Sequence, residues 1–141
     1  EEPIEEICNR YQILAGDIYS LKENLERIVT FIGIIAMNLV EEDIDYQNDL
    51  VQVSDMCETM KTRIKFGIKE ELFDLVLRIY NVARVRARQI YNAGFHTATE
   101  VEKVNPYKLS RKTGLGVDLC KSIINHLHEK RKKQYAQGTL A

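Results

Sequence analysis

Apolar residues recur at steps of three and four along the first part of the chain, a spacing that places their side chains on one face of an α-helix. The pattern predicts a long helix with Asp17 as its N-cap, running to about Glu42. Its apolar stripe consists of Ile18, Leu21, Leu25, Ile28, Ile32, Ile35 and Leu39. Beyond Ile28 the other faces become apolar too, so we expect that half of the helix to be covered on most sides, as a buried core helix.

Two further helices are predicted around this one. A short helix should run from near Pro3 to about Tyr11, because proline suits the first helical turn. After an acidic connector, Glu41–Asp45, a second apolar stripe predicts a helix that packs antiparallel to the long one and ends at Phe66-Gly67. That stripe consists of Leu50, Val53, Cys57, Met60 and Ile64.

The rest of the chain predicts shorter helices. One should run from Glu70 to about Ile79, and four more should follow at roughly 83–93, 97–103, 106–112 and 117–134. The breaks between them fall at Gly94, Pro106 and Gly114-Leu115-Gly116. Polar and β-branched residues never alternate over a strand length, so the predicted fold is all-α: a helical bundle domain followed by a tandem helical-hairpin domain.

The distribution of charge divides the chain in the same way. The 141 residues have a net charge of −1, with 45% apolar and 29% charged residues, as in ordinary globular proteins. Residues 1–60 carry three basic and fourteen acidic side chains, whereas residues 61–141 carry seventeen basic and seven acidic ones. The basic half suits a polyanion such as nucleic acid, although a merely solvated basic surface is the alternative.

Candidate catalytic and metal-binding residues do not form a convincing site. Cys8, Cys57 and Cys120 are far apart in sequence, and their odd number argues against a disulfide framework and for a reducing compartment. His126 and His128 face different sides of a predicted helix, so they cannot bind one metal ion together. We therefore predict no catalytic residues, no metal and no cofactor in this chain.

Membrane insertion is not expected either. The longest apolar stretch, residues 28–40, is shorter than the ~20 residues that span a bilayer. Since the sequence begins Glu1-Glu2-Pro3, without Met, we interpret it as an excised piece of a longer protein. We expect it in the cytoplasm, or in the nucleus if the source is eukaryotic.

The strongest motif occurs twice. Gly114-Leu115-Gly116 is followed four residues later by a small residue, Cys120, and then by Ile123. The same frame fits Asn81-Val82-Ala83, with Ala87 and Ile90. The pattern resembles the helix-hairpin-helix module, in which a tight turn presents backbone N–H groups at a helix start, where they can hold a phosphate. Such contacts ignore base sequence.

Basic side chains near the two hairpins are the candidate phosphate ligands. On the helix after the first hairpin, Arg84 and Arg88 share one flank and Arg86 lies on the other. Lys121 occupies the helix after the second hairpin. The candidate DNA-binding residues are therefore Arg84, Arg86, Arg88, Gly114, Gly116, Lys121 and, in the long helix, Arg27.

Three segments carry a resemblance to a known family: Arg63–Leu72, Arg84–Arg88 and Tyr91–Phe95. They look like the C-terminal region of archaeal superfamily-two DNA repair helicases of the Holliday-junction-migration (Hjm) type. The resemblance implies a ratchet-type helical domain at 1–66 and a paired helix-hairpin-helix DNA-binding domain at 67–141.

The resemblance also implies roles for individual residues and for the parent protein. The family's Arg-Ala-Arg motif maps onto Arg86, Ala87 and Arg88, and Ser20 and Arg27 stand where ratchet helices present an Arg and a Trp. The implied parent is an ATP-driven 3′-to-5′ helicase that acts at stalled forks and binds ATP and magnesium upstream of this segment.

Two functional hypotheses follow. In the first, the chain grips single-stranded or forked DNA by backbone contacts, next to upstream helicase motor domains. In the second, it is a protein-interaction or autoinhibitory domain whose apolar helix and acidic half dock onto the motor.

Overall fold

The computed structural model describes the backbone of residues 2–40 and 46–138, and side chains as far as residue 133. Within these ranges the protein has eight α-helices, one 3₁₀ turn and no strand, which confirms the all-α prediction. The chain divides into two compact units, Glu1–Glu70 (unit 1) and Glu71–Ala141 (unit 2).

The described part of unit 1 contains three helices, α1 (Ile4–Tyr11), α2 (Ala15–Val40) and α3 (Gln47–Phe66). The prediction of Asp17 as N-cap is wrong by a few residues, because α2 begins at Ala15. Asp17 lies in the first turn, and its carboxylate accepts a hydrogen bond from the Leu14 backbone N–H at 3.0 Å. The predicted connector Glu41–Asp45, and with it the predicted helix end at Glu42, lies outside the described residues.

Helices α2 and α3 pack antiparallel, as predicted. Gln47 near the start of α3 donates to the Val40 carbonyl at the end of α2, and Lys22 near the start of α2 donates to the Lys65 carbonyl at the end of α3. Midway, a Cβ on Gly33 would lie 3.1 Å from the Cβ of Cys57, so glycine permits the close approach of the two backbones. Gly67 ends α3 at a φ of 63°, with its N–H bonded to the Arg63 carbonyl.

The apolar stripe of α2 does not face α3, and the expectation of a helix covered on most sides is wrong for this chain. Helix α3 packs against the face that carries the buried Gly33 and Ala36, because small residues let two helix backbones approach closely. The stripe lies beside this face and stays exposed: Ile35 is 57% exposed. Phe31, on a further face, is 62% exposed. Unit 1 therefore presents an apolar flank.

Unit 2 packs several short helices and one long helix around a small core. The 3₁₀ turn Glu70–Leu72 leads into α4 (Phe73–Arg78), so the helix predicted from Glu70 begins with a tighter turn. Then follow α5 (Arg84–Asn92), α6 (Ala98–Lys103), α7 (Pro106–Thr113) and α8 (Val117–Gly138), close to the predicted positions. The largest fully buried side chains are Leu72, Leu75, Ile90, Val101, Leu109, Cys120 and Ile123.

Side-chain caps fix where two of these helices begin. Thr97 and Glu100 form a capping box at the start of α6, in which each side chain accepts a hydrogen bond from the other residue's backbone. The Asn105 side chain accepts from the Tyr107 N–H at the start of α7, where Pro106 occupies the first helical position. These caps position α7 and, through it, the hairpin that follows.

The close approach at Gly33 leads to a stability prediction. Gly33→Val should lower the free energy of unfolding by about 1–3 kcal/mol, because the added methyl groups collide with Cys57. Gly16→Val is the matched control, since it makes the same exchange in the same helix where a Cβ meets nothing within 4 Å. Thermal unfolding followed by circular dichroism measures both, and equal midpoints would contradict the packing described.

Candidate nucleic-acid interface

Two helical hairpins in unit 2 begin with the same backbone conformation. Asn81 and Gly114 open the two turns in the left-handed region, at φ values of 61° and 75°. The middle residues, Val82 and Leu115, are buried in the core. Neither these middle residues nor the third residues, Ala83 and Gly116, have a positive φ, and Ala83 has a φ of −94°. The sequence frame thus corresponds to a structural repeat.

The repeat continues into the following helices. The Ala87 N–H bonds to the Ala83 carbonyl at 2.9 Å, and the Cys120 N–H bonds to the Gly116 carbonyl at 3.1 Å. Ala87 and Cys120 are both fully buried. The predicted small residue therefore occupies the same buried position in both copies.

Cys120 is a packing residue by its surroundings. Burial raises the pKa of its thiol, and a hydrogen bond with Thr113 only partly offsets this. A thiol of raised pKa holds less thiolate at neutral pH and is a poor nucleophile. This agrees with the position of Cys120 as the small residue of the motif.

The second hairpin is held from inside by side chains of α7. Ser110 Oγ donates to the Leu115 carbonyl at 2.6 Å, and the Leu115 N–H donates to Thr113 Oγ1 at 3.2 Å. Both backbone polar groups of Leu115 are thus satisfied within the unit. Gly114 and Gly116, on either side, remain exposed, so the turn is fixed while its outer surface is open.

Nothing among the described residues requires glycine at position 116. Its φ is not positive, and a Cβ added to it would meet no atom within 4 Å. The equivalent position in the first hairpin is Ala83, which adopts its conformation without strain. Gly116 precedes α8, whose first-turn N–H groups have no partner within the helix, so a missing Cβ would let an external group approach these donors.

The three arginines of α5 have different surroundings. Arg86 donates to the backbone and side-chain oxygens of Asn81, at 2.7 and 3.1 Å, and so braces the first hairpin. Arg88 is paired with Glu71 at 2.7 Å and lies 5.5 Å from the ring of Tyr91. For Arg84 the described residues provide no ion pair or hydrogen bond. The structure thus places all three near the first hairpin, with Arg84 the least engaged.

Lys121 lies one turn into α8, beside an exposed aromatic ring. Its ammonium is 3.6 Å from the Asp118 carboxylate and 5.4 Å from the ring centre of Tyr107, which is 62% exposed. Tyr107 is not among the residues that the sequence pattern marks as DNA-binding candidates. Its distance from the buried Leu109 and Thr113 on the helical wheel of α7 could have marked it as an exposed aromatic.

Arg27 lies on α2, in unit 1. Its guanidinium donates to the Asn24 side chain at 2.9 Å on an exposed face of α2. The exposed Phe31 follows one turn later, and both residues line the same shallow depression. The sequence pattern predicts Phe31 in a covered half of the helix, whereas the structure exposes it.

Other kinds of site find little support in the described ranges. There, no group of three or more His, Cys, Asp or Glu side chains could hold a metal ion. Nor is any helix in the same ranges long and apolar enough to cross a membrane.

The two hairpin glycines should respond differently to alanine. Gly114→Ala should lower the free energy of unfolding by about 1–2 kcal/mol, because an L-residue must then adopt the left-handed region. Gly116→Ala should change it by less than about 0.5 kcal/mol, since neither backbone nor neighbours resist a methyl group. Urea unfolding of both variants measures the contrast, and equal losses of stability would contradict the assigned turn geometry.

Comparison with known proteins places this geometry in context. No family model matches the chain. It is 32% identical over 142 residues to the ATP-dependent DNA helicase Hel308 of Pyrococcus horikoshii, a match that covers 99% of this chain and 19% of that protein. It is 33% identical over 144 residues to the Hel308 helicase of Pyrococcus abyssi, a match that also covers 99% of this chain and 19% of that protein. It is 31% identical over 134 residues to the Hel308 helicase of Methanocaldococcus jannaschii, a match that covers 95% of this chain and 10% of that protein. The chain spans a fifth or less of the length of these relatives, and is homologous to a segment of about 140 residues of archaeal Hel308 helicases.

Proposed function

We propose that this chain is the C-terminal DNA-binding portion of an ATP-dependent 3′-to-5′ DNA repair helicase. In this proposal unit 2 is a paired helix-hairpin-helix module that grips single-stranded or forked DNA by its phosphates. ATP and magnesium belong to upstream motor domains, and this chain supplies no catalytic group and no cofactor of its own. The homology to segments of proteins named ATP-dependent DNA helicase supports the setting.

The observation that carries the proposal is the unexplained glycine at the start of α8. A phosphate approaching Gly116 would meet the N–H groups of Val117, Asp118 and Leu119, together with the positive end of a helix of 22 residues. Lys121 stands one turn further along and could neutralise the same anion. Since these donors are backbone groups and a flexible ammonium, binding would not depend on base sequence.

The first hairpin would contribute differently, because its arginines are partly engaged. Arg84 would contact a phosphate directly. Arg88 would exchange its ion pair with Glu71 for a phosphate, whereas Arg86 would keep Asn81 in place. Phosphate binding is therefore asymmetric in this proposal: backbone amides bind phosphate at the second hairpin, and guanidinium groups bind it at the first.

Unit 1 would be the ratchet-type domain of the helicase family that the sequence resembles, with Arg27 directed at a strand inside the motor.

A second candidate function is favoured by the exposed apolar flank of α2, on which residues such as Ile32 and Ile35 are exposed. In this alternative, unit 1 docks onto the helicase motor as a protein-interaction or autoinhibitory surface.

Salt dependence of binding tests the phosphate grip. The slope of log affinity against log salt falls by about 0.7 for each phosphate of a single strand that the protein no longer neutralises. Arg84→Ala with Arg88→Ala should therefore lower the slope by about 1.4 in fluorescence anisotropy with a labelled single strand, without changing base preference. Removing two positive charges elsewhere, Lys61→Ala with Lys132→Ala, is the matched control. A double-arginine variant that stays helical and keeps the wild-type slope would contradict the assignment of Arg84 and Arg88 as phosphate ligands.

The glycine gives an independent test of the same grip. Gly116→Val should weaken binding of the strand, because the side chain would fill the space through which a phosphate reaches the amides of α8. Gly16→Val, in the same assay, should bind as the wild type does, since Gly16 lies in unit 1 far from either hairpin in sequence. Unchanged affinity of the Gly116→Val variant would remove the second hairpin from the interface.

Tyr107 should contribute through stacking rather than charge. Tyr107→Ala should weaken binding of the strand by about 1–3 kcal/mol if a base stacks on its exposed ring. The salt slope should remain unchanged because every cation that faces a phosphate is still present, and Tyr107→Phe should retain the affinity. A fall in slope, or equally weak binding by the phenylalanine variant, would show that the ring does not act by stacking.

A further inference from the structure

Helix α8 continues past the core of unit 2 with a change of chemistry on its inner face. Its buried residues, Cys120, Ile123, Ile124 and Leu127, follow the spacing of a helical stripe. The next positions on that face are Lys130 and Arg131, both exposed. The face that packs against the core near the hairpin therefore becomes cationic where the core ends.

A groove lies at this point, between α8 and the helices α4 and α6. Its volume is about 750 Å³. Apolar side chains line part of it, among them the buried Ala98 and Leu127 and the half-exposed Leu77. The basic residues that line it are Arg78, Lys103, Lys130, Arg131 and Lys133. A single carboxylate, that of Glu102, is among the described lining residues.

Contacts within the groove position some of these cations and leave others available. Lys130 donates to the Arg78 carbonyl at 3.2 Å, which draws its ammonium toward α4. Arg78 pairs with Asp74 at 3.0 Å, and Arg131 with Glu102 at 3.4 Å. Among the described residues no carboxylate pairs with the ammonium of Lys103, Lys130 or Lys133. The groove therefore has an excess of positive charge above an apolar floor.

The groove is separated from the hairpin surface. Lys121 and Lys130 are nine residues apart on α8, which corresponds to about 14 Å along the helix axis and about 180° around it. A strand held at the start of α8 would thus be on the other side of the helix from the groove.

We propose that this groove binds the sugar-phosphate backbone of a second nucleic-acid strand, separate from the one held at the hairpins. Lysine ammonium groups suit phosphates, and the apolar floor suits the sugar rings. The inference builds on the proposed DNA-binding function and adds a second, independent binding surface. An acidic peptide is the other polyanion such a groove could take; the homology to DNA helicases favours nucleic acid.

The test compares a labelled single strand with a labelled Y-shaped DNA, using the complete 141-residue chain and fluorescence anisotropy at several salt concentrations. The groove variant is Lys103→Ala with Lys130→Ala, both at exposed positions. We expect it to lower the salt slope on the Y-shaped DNA by about 1.4–1.8, from about 0.7–0.9 for each phosphate no longer neutralised, and to leave the slope on the single strand unchanged.

Two other variants separate this inference from the proposed function. Arg84→Ala with Arg88→Ala should lower the slope on both DNAs, and the control Lys61→Ala with Lys132→Ala should lower neither. If the groove variant behaves like the control on the Y-shaped DNA, the groove proposal is overturned while the hairpin grip stands. If the groove variant lowers the slope on the Y-shaped DNA while the hairpin variant keeps the wild-type slope, the groove proposal is supported and the assignment of the hairpin arginines is contradicted.

A competition arm addresses the other polyanion. A poly-glutamate peptide should bind the wild type no more tightly than the groove variant. Peptide binding that disappears in the groove variant, with an unchanged slope on DNA, would make the groove a protein-binding surface and overturn the proposal.

Discussion

The architecture of unit 2 depends on reversing the chain within three residues at two places. Each reversal needs one residue in the left-handed region, and the two copies meet this need by different means. At the second turn glycine adopts the conformation at little cost. At the first turn Asn81 adopts it, held by the guanidinium of Arg86 on its backbone and side-chain oxygens. With both turns fixed, Val82 and Leu115 enter the core and the following helices bring Ala87 and Cys120 to equivalent buried positions.

This arrangement explains why the three arginines of α5 are unequally placed for the proposed phosphate contacts. Arg86 is committed to the turn, Arg88 has an acidic neighbour in Glu71, and Arg84 has no such engagement among the described residues. The resemblance pointed to Arg86 and Arg88, whereas helical geometry pointed to Arg84 and Arg88. The surroundings of the side chains favour Arg84 as the residue with most freedom to meet a phosphate.

Much of the fold could be predicted from local signals. The helix ends at Phe66, Asn92 and Thr113 follow from glycine and from the residues around it, and the start of α7 follows from Asn105 and Pro106. Local signals could not tell which face of α2 receives α3. The apolar stripe suggested one face, but the close approach at Gly33 and Ala36 determined another, since backbone proximity depends on the partner helix. The partners of Arg86 and Arg88 likewise depend on contacts that spacing alone does not specify. The groove was missed because its cations come from three helices that are distant in sequence.

The brace on Asn81 also bears on how related sequences should be interpreted. Position 81 and its counterpart 114 are limited by the backbone to residues that tolerate a positive φ, so glycine or asparagine there indicates only that the turn can form. Positions 83 and 116 carry no such restriction, and their identity can drift without harming the fold. A glycine retained among related sequences at the third position of such a turn would therefore indicate that the hairpin binds a ligand. It would distinguish hairpins that hold a ligand from hairpins that have become purely architectural.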